Sequence, residues 1–214
     1  MREPRPRLFG ADYSVYVRIV RLVLAEKGIG YDLVPVDVFA PEGAPTWYLE
    51  LHPFGRIPAF EHGELRLFET TAIVRYVDDA FDGPALQPAA PNRRAVMNQI
   101  IGMLDAYAYR AMVWDIYVER VSKPRDGGAS DEMLIASALP IARTCLATLA
   151  RLKADGSWLV GDHLTLADLH AAPIFAYFVK APEGRALLAD YPALSDWWER
   201  ISALPSFKAT EPTS

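Results

Sequence analysis

Three hydroxyl side chains, Tyr13, Ser14 and Tyr16, crowd the point where the apolar pair of "LFG" gives way to a helical pattern. A hydroxyl at a helix start has two uses. It caps free backbone N–H groups, or it donates a hydrogen bond to an anion that those groups and the helix dipole attract. Glu69 and Thr70 raise the same choice where a strand pattern passes into the helical "TTAIVRYVDDAF". Thr165 and Asp168 stand at Ser/Thr-x-x-acid spacing, a variant of the capping box, and read as structural rather than catalytic. Other chemistry-bearing residues are sparse. The single cysteine, Cys145 in "ARTCLATLARL", reads as packing and excludes an intramolecular disulfide or a cysteine-only zinc site. Four histidines, His52, His62, His163 and His170, lack ligand-pair spacing such as H-E-x-x-H, so no metal is expected.

These residues need elements to position them. "RPRLFG" predicts a short buried strand, and Ser14 to Lys27 a helix with Val15, Ile19, Leu22, Val23 and Glu26 on or near one stripe. Lys27 suits the helix C-terminus and Gly28 its left-handed cap. "YDLVPVDV" is a second strand, parallel to the first if the helix is a crossover. "PTWYLELHPFGR" offers one irregular helix and a turn at Pro53 to Gly55. A hairpin of Ala59–Glu61 and Leu65–Phe68 turns at His62–Gly63, and another helix follows. The order is β-α-β-α-β-β-α. "DGPALQPAAPNRR", with three prolines, is a linker by composition. Beyond it, 92–121 and 130–154 form two long amphipathic segments, with two or three shorter helices after them. The pattern predicts a small α/β domain joined to an all-helical one: 1–82, a linker at 83–92, and 93–214.

The chain has 214 residues, 22 basic and 27 acidic, giving a net charge of −5. No like-charge run is longer than the short Arg-rich start (Arg2, Arg5, Arg7), which argues against nucleic acid as a main partner. The start lacks the apolar run of a signal peptide, and no apolar stretch approaches the ~18 residues that span a bilayer. A soluble, acidic, cytoplasmic protein without a membrane partner is expected.

Four stretches in this order resemble the soluble glutathione S-transferase superfamily, over nearly the whole chain. They are Ser14 opening a helix that ends "LAEKGIGYDL", then "LHPFGRIPAF", then "FETTAIVRYV", and finally "LVGDHLTLADLHAAP" with "YPALSDWWERISALPSF". The resemblance implies a thioredoxin-like N-terminal domain, a helical C-terminal domain, and a serine-type, bacterial-like member. It further implies glutathione as co-substrate, a small apolar electrophile as acceptor, and a homodimer, with Phe54 a candidate for insertion into the partner chain. In such a protein the Ile57–Pro58 bond is cis, and the backbone of Ile57 pairs with the cysteinyl part of glutathione. Thr70 takes the γ-glutamyl carboxylate and Glu69 its ammonium.

The catalytic task implied is thiolate stabilisation, since a free thiol of pKa near 8.5 is only a few per cent ionised at neutral pH. Ser14 matches the serine of serine-type members; Tyr13, adjacent, serves instead if the loop is shifted by one. Relatives often carry His and Lys before the proline-glycine turn to hold the glycine carboxylate. Here "APEGAPTWYLELHPFG" holds neither Lys nor Arg, and Arg56 is the nearest cation. His52, where Asn is usual, reads as a turn residue. The acceptor is expected against the first long helix of the second domain. Met97, Ile101, Leu104, Ala108, Ala111 and Val118 form its core stripe, and Met103, Tyr107, Trp114 and Tyr117 a second, aromatic one. Asp105 is a candidate to reach a partner's glutathione. Three other readings of the same site stay open: glutathione-dependent peroxide reduction, isomerisation or dehalogenation. A non-catalytic binding or regulatory protein on this fold is the alternative of a different class. A disulfide oxidoreductase is disfavoured, because no cysteine lies near the first helix.

Overall fold

The computed structural model describes residues 4–213. Two compact units emerge: residues up to Ala85 together with those from Pro205 onward, and Leu86–Leu204.

In the first unit β1 (Arg7–Phe9), α1 (Val15–Glu26), β2 (Asp32–Val34), α2 (Thr46–Leu49), β3 (Ala59–His62), β4 (Leu65–Phe68) and α3 (Thr70–Ala80) follow in order. The sheet order is β2-β1-β3-β4. β1 and β2 are parallel, as the α1 crossover requires, and the other pairs are antiparallel. β2 stops at Val34, short of the Val38 its apolar run suggests, because Pro35 has no N–H to donate to a ladder. The first unit's core includes Phe9, Val36, Tyr48 and Ala59, with Ile57 packed against them. Lys27 sits at the C-cap of α1, and Gly28 follows with φ +70°. The ammonium of Lys27 does more than face a helix dipole. Buried, it donates to the Asp78 carboxylate (3.2 Å) and to the carbonyls of Asp78 and Pro84, tying α1 to α3. Of the N-terminal arginines, Arg2 lies outside the described residues; Arg5 and Arg7 pair with Asp32 and Glu61. The last helix of this unit is α10 (Pro205–Ala209).

The second unit is helical. A single long helix runs through α4 (Pro91–Met103), Leu104–Ala108, Arg110–Ser122 and α5 (Lys123–Arg125). Over its two middle segments the backbone is wound wider, with N–H(i) donating to C=O(i−5), as Tyr109 does to Leu104 and Lys123 to Val118. Wider winding brings residues four apart onto one face, so Leu104, Ala108, Met112 and Ile116 are all buried. A 3.6-residue period misses this. Tyr117, placed by that period on an open aromatic stripe, is buried, and Val118, placed in the core, is only half-buried. Asp105 is committed within its own unit, its carboxylate 2.7 Å from Nε2 of the fully buried His170.

α6 (Glu132–Leu152) is, at 21 residues, long and apolar enough by composition to cross a membrane, contrary to the sequence expectation. Its buried residues Ile135, Ala138, Ala142, Cys145, Leu146 and Leu149 form a one-sided stripe, as in a core-packed amphipathic helix. α7 (Leu166–Phe178) is buried nearly all round and is the unit's central element. α8 (Pro182–Ala189) and α9 (Pro192–Ser202) complete the unit. Asp168 in the first turn of α7 has the role its spacing implies. It accepts from the N–H (2.8 Å) and hydroxyl (2.7 Å) of Thr165, the N–H of Leu159 (2.8 Å) and the indole N–H of Trp197 (2.8 Å). It joins three chain segments and is not a catalytic acid.

Candidate active site

Strand register gathers the candidate residues. Phe9 pairs with Ala59, so the chain leaving β1 (Gly10 to Ser14) and the chain entering β3 (Ile57, Pro58) lie at the same sheet end. Ala59 pairs with Phe68, so Glu69 and Thr70, leaving β4, lie there too. The first contact between loops is direct. Gly10 has φ +152°, and a Cβ there would meet Val17 of α1 at 2.4 Å and Ile57 at 3.2 Å. The missing side chain lets α1, the β1 loop and the Ile57 turn close on one another.

Ser14 is the N-cap of α1. Its Oγ accepts from the Val17 N–H at 3.4 Å, and its own N–H donates to Ala11 O at 3.1 Å. Capping and chemistry are therefore compatible. The cap uses one lone pair of the hydroxyl and leaves its proton available at a helix N-terminus, where an anion is favoured. Tyr13 projects beside it, its ring stacked on exposed Phe39 at 6.4 Å. Partial burial, with Asp37 and Asp12 nearby, pushes its phenol above the ordinary range.

The Ile57–Pro58 bond is cis, and Pro58 is buried at the entry to β3. Two residues shape this turn, of which the sequence reading missed Tyr48. Fully buried Tyr48 of α2 donates its hydroxyl to Arg56 O at 2.7 Å, fixing the residue before Ile57. His52 closes the turn through its carbonyl, which accepts from the Gly55 N–H at 2.9 Å, as expected of a turn residue. Its ring does more: buried against Phe68 at 4.9 Å, its Nδ1 meets no partner. Burial lowers its pKa, so the imidazole is neutral at pH 7. The only sequence signal for Tyr48 was an aromatic inside a short irregular helix. The side chain of Arg56 is exposed.

Glu69 carries the clearest anomaly. Among the described residues it is the one non-glycine with positive φ (+69°). It precedes the first turn of α3, yet its side chain makes no capping bond. Glu69 caps the helix through its carbonyl, which accepts from the Ala72 and Ile73 N–H groups at 3.0 Å, and not through its carboxylate. Strained backbone and an exposed, unspent carboxylate beside a helix N-terminus are the marks of a ligand-holding position. Buried Thr70 follows it as the first residue of α3. Among the described residues no cluster of three or more His, Cys, Asp or Glu could hold a metal ion.

Comparison with known proteins gives two family matches: "Glutathione S-transferase, N-terminal domain" over residues 8–85 and "Glutathione S-transferase, C-terminal domain" over 107–205. The probable glutathione S-transferase GSTF1 of Oryza sativa subsp. japonica is 32% identical, over 94% of this chain and 93% of its own. Glutathione S-transferase F13 of Arabidopsis thaliana is 28% identical, over 96% and 94%. The solved structure of glutathione S-transferase III in apo form superposes with a TM-score of 0.85 at 31% identity, over 97% of this chain and 95% of that one. Both curated relatives are plant proteins, where the motifs led to the expectation of a bacterial-like one.

Proposed function

Because this chain belongs to the glutathione S-transferase family, we propose that it joins the thiolate sulfur of glutathione to an electrophilic carbon of a small apolar acceptor. The carbon–sulfur bond forms as the leaving group departs, and the thiol proton goes to solvent. Ser14 donates its hydroxyl proton to the sulfur from the N-terminus of α1, which makes this a serine-type member. Ile57 pairs its backbone with the cysteinyl unit as an added strand. Thr70 and the α3 N-terminus take the γ-glutamyl carboxylate, Glu69 the ammonium, and exposed Arg56 the glycine carboxylate. Tyr13 lies beside Ser14 and, with Phe39, offers the acceptor an aromatic surface.

The observation that carries this reading is Glu69: a strained residue whose carboxylate goes unused, at the sheet end shared with Ser14 and Ile57. Retention on immobilised glutathione, together with conjugation of an activated aryl halide, tests it. Retention and turnover are expected. Retention without turnover favours the binding-protein alternative, and loss of both refutes the reading. Peroxide reduction, isomerisation and dehalogenation would use the same glutathione subsite.

Glu69→Ala is expected to weaken glutathione binding about tenfold to a hundredfold, the range of one charge-assisted hydrogen bond. Titration calorimetry reads this directly, and an unchanged affinity would remove Glu69 from the site. The working form proposed is a homodimer in the cytoplasm. Phe54, 71% exposed and braced edge-on by Phe68 at 6.1 Å, is the side chain offered to a second copy. Sedimentation should give two chains for the wild type and a shift towards one for Phe54→Ala. Equal masses would assign the dimer contact elsewhere.

A further inference from the structure

The segment from Pro205 to Thr213 lies along α1 like a strap, held at three levels. Near the helix C-terminus the Ser206 hydroxyl donates to the Glu26 carboxylate. In the first turn of the helix Arg18, only 3% exposed, donates to Phe207 O at 2.9 Å and lays its guanidinium 4.2 Å above the Phe207 ring. Buried Thr210 stiffens the strap by donating to Ser206 O at 2.9 Å. Beyond the helix N-terminus the strap reaches the loop that carries Ser14. There both the N–H (3.1 Å) and the hydroxyl (2.7 Å) of Thr213 donate to one oxygen of Asp12.

We propose that Thr213 and Asp12 form a latch by which the strap positions the Ser14 loop for thiol activation; the inference rests on the transferase reading above. The loop is already fixed at Gly10, whose N–H donates to Val34 O at 3.0 Å. The latch fixes it a second time, two residues before Ser14. It also restrains a charge. A carboxylate released at this point is free to swing to the N–H groups at the start of α1, where it competes with a thiolate for the same donors. Two hydrogen bonds from Thr213 restrain the Asp12 carboxylate and spread its charge; its carboxyl lies below the ordinary range, chiefly because of the Thr213 hydroxyl and N–H, with the Arg21 charge and the Tyr13 N–H adding to them. Thr213 is thus a positioning residue, acting through Asp12 on Ser14.

The test is the pH profile of kcat/KM for the acceptor at saturating glutathione, between about pH 5 and 9, for the full chain as wild type, Thr213→Val and Thr213→Ser, with a thermal melt of each. Valine keeps the shape and the N–H but removes the hydroxyl donor; serine keeps both donors. The acid limb, which reports the bound thiol, is expected to move up by about half to one unit in Thr213→Val. That is about a threefold to tenfold loss of kcat/KM on the acid side of the limb, and a smaller one at neutral pH. KM for glutathione and the melting temperature should stay near wild type, and Thr213→Ser should restore the limb. An unmoved limb in Thr213→Val overturns the latch, whether or not the melt shifts. So does a Thr213→Ser limb displaced as far as that of valine. A wild type with no thiol limb in this range overturns the transferase reading and the latch with it.

Discussion

Ser14→Ala lowers kcat/KM for an aryl halide by about tenfold to fiftyfold near neutral pH. The size follows from the task. Bringing a thiol of pKa near 8.5–9 down by two units requires about 2.7 kcal/mol of preference for the thiolate. A hydrogen bond to a charged acceptor contributes roughly 1.5–3 kcal/mol and a helix N-terminus up to about 1. The hydroxyl therefore carries most of the effect, and alanine leaves only the dipole. Alanine also removes the cap on Val17, which by itself lowers stability by about 0.5–2 kcal/mol. Ser14→Gly separates the two losses, because glycine at an N-cap costs only a few tenths. Glycine should be as inactive as alanine while melting close to wild type, and Ser14→Thr should retain activity. The deficit also has a pH signature. It shrinks as pH rises towards the pKa of the free thiol, since an already ionised thiol needs no donor. A deficit that is flat with pH would mean that Ser14 acts on binding rather than on ionisation.

Asp168→Ala has the largest effect on stability and none on thiol chemistry. Removing the carboxylate leaves buried donors at Leu159 N, Thr165 N and Trp197 Nε1 without an acceptor. Each stranded donor costs about 1–3 kcal/mol, so a loss of about 3 kcal/mol or more is expected. For a chain of this size that lowers the melting temperature by about 6–12 °C. Asp168→Asn, which keeps one carbonyl but turns an NH2 towards donors, should fall between. Calorimetry on the three proteins checks the order. A shift under about 2 °C for alanine would show that the network does not hold α7, the Leu159 loop and α9 together.

Local rules made most of the first unit legible. The β1–α1–β2 crossover, the hairpin and Ser14 at the start of α1 follow from residue spacing within a few positions. Thr165 and Asp168 told their own role, because a capping box is a local device. What stayed hidden depends on other parts of the chain. The charge of Lys27 looks like a helix-dipole partner until Asp78, 51 residues away, is seen beneath it. The wider winding between Leu104 and Ser122 changes the period on which apolar stripes are read, so Tyr117 was assigned to the wrong face. The support of Arg56 by Tyr48 needs a buried hydroxyl and a carbonyl brought together by the turn between them. The latch spans 201 residues and leaves no mark in either segment. Of the proposed site, Glu69 was the residue whose role the backbone sharpened most: its positive φ and unspent side chain cannot be read from "FET".

The most direct test of thiol activation is an ultraviolet difference titration of bound glutathione at the thiolate band, from about pH 5 to 9, on wild type and Ser14→Ala. The account predicts a thiolate that forms about two units below the free thiol in wild type and returns most of the way in the variant. A thiolate equally stabilised in both proteins would hand the role to the helix dipole or Tyr13. Saturating glutathione with no thiolate in wild type would contradict the mechanism outright.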